Sequence, residues 1–299
     1  MKTLFIINKK SGRNSSRYWS KIEYQVTPLL QEYEVVVADK PEDIVKETIR
    51  GIEESYDFIT SVGGDGTTGL IASTILSNRK GSKELGPILS CLPAGTGCDF
   101  YKGISKGASP ATLLEQGTTK NLDVIKVTLD GDREFYGINS VSIGYSAEVV
   151  RLREGQSSLV PEMLSYFLPG VLALKTWNSE AMTFKTDDQE ISRKLLLALF
   201  MKGTYAGGGM KLGPDMGDLK GKMLVTLVPP ITTGILLRHS VDLFTKGIQS
   251  NPIVDVLHSK TISCEGKQPI NLEVDGELHS CTKFKLEVIP ETLPCLVME

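Results

Sequence analysis

Between Ser61 and Ser73 the chain reads SVGGDGTTGLIAS, which crowds Gly63, Gly64, Asp65, Gly66 and Thr67 into five consecutive positions. The stretch follows YDFIT, a short apolar run ending in β-branched residues, which reads as a buried strand. It runs on into TGLIASTILS, where Leu70, Ile71, Ile75 and Leu76 recur at helical spacing. A strand that turns through glycines into a helix N-terminus is a natural phosphate site, because free backbone N–H groups and the positive end of the helix dipole point outward together. Asp65 would repel a phosphate unless a cation lay between them, and that combination fits a nucleotide carried with Mg²⁺. The pattern is neither a Walker A loop, since no Gly-Lys-Ser/Thr follows, nor the G-x-G-x-x-G dinucleotide fingerprint. An ordinary tight turn, with glycines at positive φ and Asp65 capping the helix, explains the motif alone equally well.

The elements that would position these residues are legible on both sides. TLFII, YEVVVA, YDFITSV and PILSCL read as buried parallel strands, and helical patterns lie near residues 16–31, 41–54 and 67–78. Alternating strands and helices predict a doubly wound sheet that binds ligands at the carboxyl ends of its strands. The loops after three of the strands are NKKSGR, GGDGTTG and PAGTGCDF, all rich in glycine, hydroxyls or small polar residues. Three such loops on one sheet edge favour the phosphate site over the plain turn.

Beyond about residue 122 the pattern changes. LDVIKVTLD, REFYGINSVSIG, AMTFKT, KLLLALFM, KMLVTLV, QPINLEVDGEL and KFKLEVI are strand-like, and Ile270, Leu272 and Val274 share one face of theirs. Short strands in succession predict an antiparallel sheet or sandwich. Two helical stretches interrupt it, LVPEMLSYFLPGVLALKTW and TGILLRHSVDLFTKG; the first is apolar enough to line a lipid pocket, although a buried core helix explains it as well. No Pro/Gly-rich linker separates the halves, so an intimate cleft is expected between them.

Composition narrows the class. The 299 residues are 40% hydrophobic and 23% charged with a net charge of −3, which gives no electrostatic reason to expect nucleic acid as a partner. The five cysteines, Cys91, Cys98, Cys264, Cys281 and Cys295, form no C-x-x-C pair, which argues against a disulfide framework or zinc site and fits a reducing cytoplasm. The N-terminal apolar run is too short for a signal peptide, and no stretch approaches a membrane span, so a cytoplasmic protein is expected.

With these residues in hand, the chain resembles the bacterial diacylglycerol kinase and sphingosine kinase-like lipid kinases over nearly its whole length. NKKSG (Asn8 to Gly12) stands where the family has NPxSG, with Lys9 in the proline position. GGDGT is intact from Gly63 to Thr67. PAGTGCDFY (Pro93 to Tyr101) matches P-x-GT-x-NDFA with Cys98 in the asparagine position. NSVSIGYSAEVV, GGGMKLGP and DGE (Asp275 to Glu277) complete the ordered series. The resemblance implies a Rossmann-like nucleotide domain (1–122 with 288–299), a β-sandwich lipid-substrate domain (123–287), and a C-terminal CLVME packed against the first domain. It implies a peripheral enzyme at the inner face of the membrane that transfers phosphate from ATP, with Mg²⁺, to the hydroxyl of a lipid such as diacylglycerol. Related enzymes form dimers, which makes a homodimer the corresponding expectation.

The same resemblance implies roles. Asn8, Lys9, Lys10, Ser11, Gly12, Gly63, Gly64, Asp65, Gly66, Thr67 and Thr96 would cradle the nucleotide, with the hydroxyls of Ser11, Thr67 and Thr96 as donors and Asp65 reaching the phosphates through Mg²⁺. Asp275 is the candidate general base and Glu277 its partner, two carboxylates at i and i+2 whose interaction would raise the pKa of one of them. Asp-Gly after an alternating strand is independently a hairpin-turn signal, and His279 is an alternative base. Gly207 to Gly209 would permit close backbone approach. A structural Mg²⁺ would fall on Asp215, Asp218 and the Lys211 carbonyl, but Lys220 replaces an acid there and would weaken it. Competing readings are an NAD kinase relative, which shares GGDGT, and a non-catalytic nucleotide- or lipid-binding regulator, motivated by Lys9, Cys98 and Lys220.

Overall fold

The computed structural model describes residues 1–11, 15–79, 86–153, 181–232, 234–235, 238–239, 242–243 and 246–299. The apolar stretch at 159–177 and Gly12 fall outside the described residues, as does part of 233–247. The chain divides into two compact units, Met1–Val124 with Pro290–Glu299, and Ile125–Ile289.

The first unit alternates strand and helix: β1 (Lys2–Asn8), α1 (Ser15–Val26), β2 (Glu32–Ala38), α2 (Pro41–Glu53), β3 (Phe58–Gly63), α3 (Asp65–Ser77), β4 (Ile88–Pro93), α4 (Asp99–Ser105) and α5 (Pro110–Gln116). Leu4 to Ile7 are all buried, the continuous apolar run of a strand covered on both faces. α2 opens with Pro41 at its first turn beside Glu42 and Asp43 and closes with Arg50, which matches its charges to the helix dipole. The strands are parallel in the order β2–β1–β3–β4. From β1 the chain goes out to β2 and returns to β3 on the other side, so the strand order reverses between β1 and β3, where open α/β sheets bind ligands at their carboxyl ends. Phe5, Ile7, Trp19, Val26, Val62 and Leu92 form the core on one face of this sheet.

The second unit is built on antiparallel pairs. β5 (Thr118–Leu129) leads into it, followed by β6 (Arg133–Gly137), β7 (Ser140–Gly144), α6 (Tyr145–Arg153), β8 (Ala181–Thr186), β9 (Glu190–Lys194), β10 (Leu197–Met201), β11 (Tyr205–Ala206), β12 (Met210–Lys211), β13 (Met223–Val228), β14 (Asp255–Ser259), β15 (Thr261–Val274) and β16 (Glu277–Val297). The order runs β14–β13–β10–β7–β15–β16, with β8 and β9 added on β15 and β5 and β6 on β16. β9, β11, β12, β14 and the first half of β15 lie outside the strand-like stretches that the sequence pattern predicts. In the core Phe200 packs between Phe184 and Phe284, each at 6.2 Å between centroids with the rings steeply inclined to one another. The end of β16 belongs to the first unit, where Cys295 lies parallel to β4 opposite Leu89 and Met298 N–H donates to the Ile104 carbonyl at 2.8 Å.

Candidate active site

At the carboxyl edge of the parallel sheet, the loops after β3 and β4 are pressed together backbone to backbone, and the loop after β1 meets them through its side chains. Gly63 lies opposite Pro93, and its carbonyl accepts the N–H groups of Ala94 (3.0 Å) and Gly95 (2.9 Å). A Cβ on Gly95 would sit 2.2 Å from Gly64 Cα, so the two loops touch only because both positions lack side chains. A Cβ on Gly64 would also lie 3.4 Å from Ser11 Oγ, which places the first loop against the same point. Asn8 joins the loops through its amide, donating from Nδ2 to Thr67 Oγ1 at 2.8 Å and accepting the Lys10 N–H at 3.0 Å. Thr67 is therefore buried with its accepting side used. Thr96 is exposed at the rim. Lys9 forms an ion pair with Asp39 at 2.9 Å across the surface, and Lys10 is exposed. A small cavity lies among Gly63, Gly64, Asp65, Cys91, Cys98 and Tyr101.

Asp65 does cap a helix, but not its own. α3 starts at Gly64 without a side-chain cap, while the Asp65 carboxylate accepts the N–H groups of Asp99 (3.0 Å) and Phe100 (2.8 Å) at the start of α4. Burial, and next the charge of Asp99, push the Asp65 carboxyl upward. Asp99 is itself buried and reaches Lys102 Nζ at 3.3 Å. Asp65 and Asp99 are thus two neighbouring carboxyls at this edge, the first held by the α4 amides and the second paired with Lys102. Cys98 stands between them at φ +48°, and its thiol lies 3.7 Å from the Gly63 carbonyl as a weak donor. Burial pushes that thiol up to about 12, so it stays neutral.

In the second unit Asp275 and Gly276 are the two loop residues between Val274 and Glu277, with φ of +49° and +94°. Positive φ at both central positions is the type I′ turn that Asp-Gly predicts. The turn faces inward: Asp275 is 6% exposed, and its carboxylate accepts backbone N–H groups from Ile138 (2.7 Å), Asn139 (3.0 Å) and Ser140 (2.9 Å). Burial raises its pKa to about 7 against the pull of those three amides. The neighbouring carboxylate that adds to the rise is Glu273, not Glu277, which is exposed. Glu273 accepts from Ser142 Oγ and, at 2.6 Å, from Gly276 N–H. His279 stacks on Phe135 with centroids 4.5 Å apart, and burial lowers its pKa.

Gly207, Gly208 and Gly209 all have positive φ and make the turn between β11 and β12. The predicted structural metal site does not fit the residues present. Asp215 Oδ1 is engaged by Lys211 Nζ at 3.1 Å, both aspartates are exposed, and no group of three His, Cys, Asp or Glu side chains is placed to hold a metal among the described residues.

Comparison with known proteins decides the lineage. The family model of the diacylglycerol kinase catalytic domain matches residues 2–127, and that of the YegS C-terminal NAD kinase beta sandwich-like domain matches 139–297. The chain belongs to the diacylglycerol kinase-like lipid kinase family. A probable lipid kinase YegS-like protein of Alcanivorax borkumensis is 26% identical over 298 residues, 98% of this chain and 95% of that protein. One from Stenotrophomonas maltophilia is 24% identical over 268 residues, covering 87% and 84%. The crystal structure of a diacylglycerol kinase from Bacillus anthracis shares the fold, with a TM-score of 0.71 at 19% identity over 99% of this chain and 97% of that one. As a member of this lipid kinase family the protein is a phosphotransferase with an alcohol acceptor, and the family implies nucleotide use. No helix among the described residues is long and apolar enough to cross a membrane. The fold also brings forward residues to which the sequence assigned no role: Asp99 and Asn139, which lie inside the PAGTGCDFY and NSVSIGYSAEVV motifs, and Glu273 and Lys202, for which no local signal exists.

Proposed function

We propose that the protein transfers the γ-phosphoryl group of ATP, with Mg²⁺, to the hydroxyl of a lipid alcohol, diacylglycerol or a close relative, at a membrane surface. The observation that carries this reading is the convergence of the loops after β1, β3 and β4 at the carboxyl edge of the parallel sheet, beside the N-terminus of α3 and with the exposed Thr96 hydroxyl at the rim. Ser11, Gly63 to Thr67 and Thr96 hold the phosphates, and Asn8 holds the first loop to the second. Mg²⁺ held on Asp65 beside Asp99 would supply neutralising charge on the phosphate oxygens.

Asp275 acts as the base. The lipid hydroxyl oxygen forms a bond to the γ-phosphorus as the bond to the ADP oxygen breaks, and the hydroxyl proton passes to the Asp275 carboxylate. Three amides fix that carboxylate in place, and a pKa near 7 leaves it a stronger base than an exposed aspartate while still half ionised at neutral pH. A net charge of −3 gives no pull toward nucleic acid, and a homodimer at the inner face of the membrane is the working form in this reading.

The test is transfer of labelled γ-phosphate into vesicles containing diacylglycerol and into a total lipid extract, for the native protein and Asp275→Asn. The expected result is a labelled lipid that is lost in the variant while ATP binding persists. ATP binding without any labelled lipid would overturn the kinase reading in favour of a nucleotide-binding regulator, and label appearing in NAD would overturn the lipid acceptor.

A further inference from the structure

β10 ends at Met201, and the next side chain turns into the protein. Lys202 is 5% exposed, and its ammonium donates to the carbonyl oxygens of Leu219 and Lys222, each at 3.0 Å. Both acceptors belong to the loop that follows Pro214, whose path is unusual. Leu219 has φ +53°, and Gly217 and Gly221 flank it at +96° and +72°. Asp218 N–H closes a turn on the Asp215 carbonyl and Lys222 N–H a second on the Leu219 carbonyl, both at 3.0 Å. The loop therefore turns carbonyl oxygens inward onto one positive charge and leaves its carboxylates, Asp215 and Asp218, outside. Inward carbonyls around a compact hard cation are the arrangement of a metal loop; here the cation is covalently part of the chain.

A buried ammonium is costly to place unless its protons are bonded, so its position is not incidental. The surrounding charge agrees. Lys202, Lys211, Lys220 and Lys222 stand against Asp215 and Asp218 in this segment, an excess of positive charge that disfavours a second, divalent cation.

The anchor also leads to the candidate base. The N–H groups of Lys202 and Gly203 both bond the Asn139 carbonyl, at 3.0 and 2.9 Å, and Asn139 N–H bonds Asp275 Oδ1 at 3.0 Å. The contacts between are too close for any side chain: a Cβ on Gly213 would fall 1.8 Å from the Gly203 carbonyl oxygen, and one on Gly203 would fall 1.5 Å from Asn139 Oδ1. We infer that the Lys202 ammonium is the resident cation of the Asp215–Lys222 loop, replacing a structural divalent metal, and that it ties this loop to the backbone segment holding Asp275. The inference does not depend on the lipid acceptor or on turnover, and the nucleotide's own Mg²⁺ is a separate matter.

The experiment is hydrogen–deuterium exchange on nucleotide-free protein, in Mg²⁺ and after exhaustive EDTA treatment, for the native chain, Lys202→Met and Lys202→Arg. The expected result is that exchange at the Asp218 and Lys222 amides is the same in Mg²⁺ and EDTA, with no change in melting temperature. Lys202→Met is expected to raise exchange at those amides at least tenfold, and Lys202→Arg to raise it less. If Lys202→Met does not fold, the native protein in Mg²⁺ and EDTA decides by itself, with Lys202→Arg as the second variant. A tenfold rise in exchange of the native loop in EDTA, stoichiometric Mg²⁺ binding to nucleotide-free protein by calorimetry, or unchanged exchange in Lys202→Met would overturn it. None of these readouts needs phosphoryl transfer, so failure here and failure of the kinase reading are distinguishable.

Discussion

At the scale of single residues, the chemistry turns on what surrounds a carboxylate. Asp275 has a pKa raised by burial to about 7, so its ionised form is disfavoured in the fold. As a base it must be ionised, and kcat/KM is expected to rise with pH and level off above about 7, a limb absent from the residual activity of Asp275→Asn. The same shift predicts stability with the opposite slope. A carboxyl whose folded pKa lies above its unfolded value adds stability that is complete below the unfolded value and lost as pH climbs through the folded one. The native protein is expected to lose melting temperature from about pH 4 to about pH 7, the interval between the ordinary and the raised value, and Asp275→Asn to flatten that trend. Cys98 offers a second test. Asn tolerates the left-handed φ of +48° at this position and donates a stronger hydrogen bond than a thiol. Cys98→Asn is expected to raise stability by about 1 kcal/mol in denaturant melts.

At the scale of elements, the site depends on glycines that let loops touch. Gly95→Ala places a methyl 2.2 Å from Gly64 Cα, where only backbone can move away. A cost of about 1–3 kcal/mol and loss of nucleotide binding are expected, read by thermal shift with and without ATP. Asp65 is equally a matter of elements. GGDGT shows that an acid begins a helix, and local reasoning gives it that helix to cap, yet its partners are the first amides of α4, some 34 residues on. The Asp-Gly turn was legible because a type I′ hairpin is encoded in two residues. Its inward orientation was not, since the amides of Ile138 to Ser140 lie far away in sequence.

At the scale of the whole molecule, the chain ends by completing the unit with which it began. Leu293, Cys295, Leu296 and Val297 are all 5% exposed or less, and β16 adds Cys295 to the parallel sheet beside β4. Burying each large apolar side chain contributes about 1.5–3 kcal/mol, so their sum is comparable with the roughly 5–15 kcal/mol that holds a domain folded. Deleting residues 290–299 is expected to unfold the first unit, visible as loss of exchange protection across β1, β3 and β4.

The sequence by itself determined the alternation of strands and helices in the first half, the three loops that follow its strands, the antiparallel character of the second half and the ordered motifs of a lipid kinase family. Those features are written in periodicities and turns spanning a few residues, so neighbouring residues suffice to read them. Only the tertiary structure decided that Asp65 clamps α4, that Glu273 rather than Glu277 is the charged neighbour of Asp275, and that Lys202 fills a loop where a metal was expected. Burial and hydrogen-bond partners belong to pairs brought together by folding, and no local pattern around Lys202 records that its ammonium ends on the carbonyls of Leu219 and Lys222.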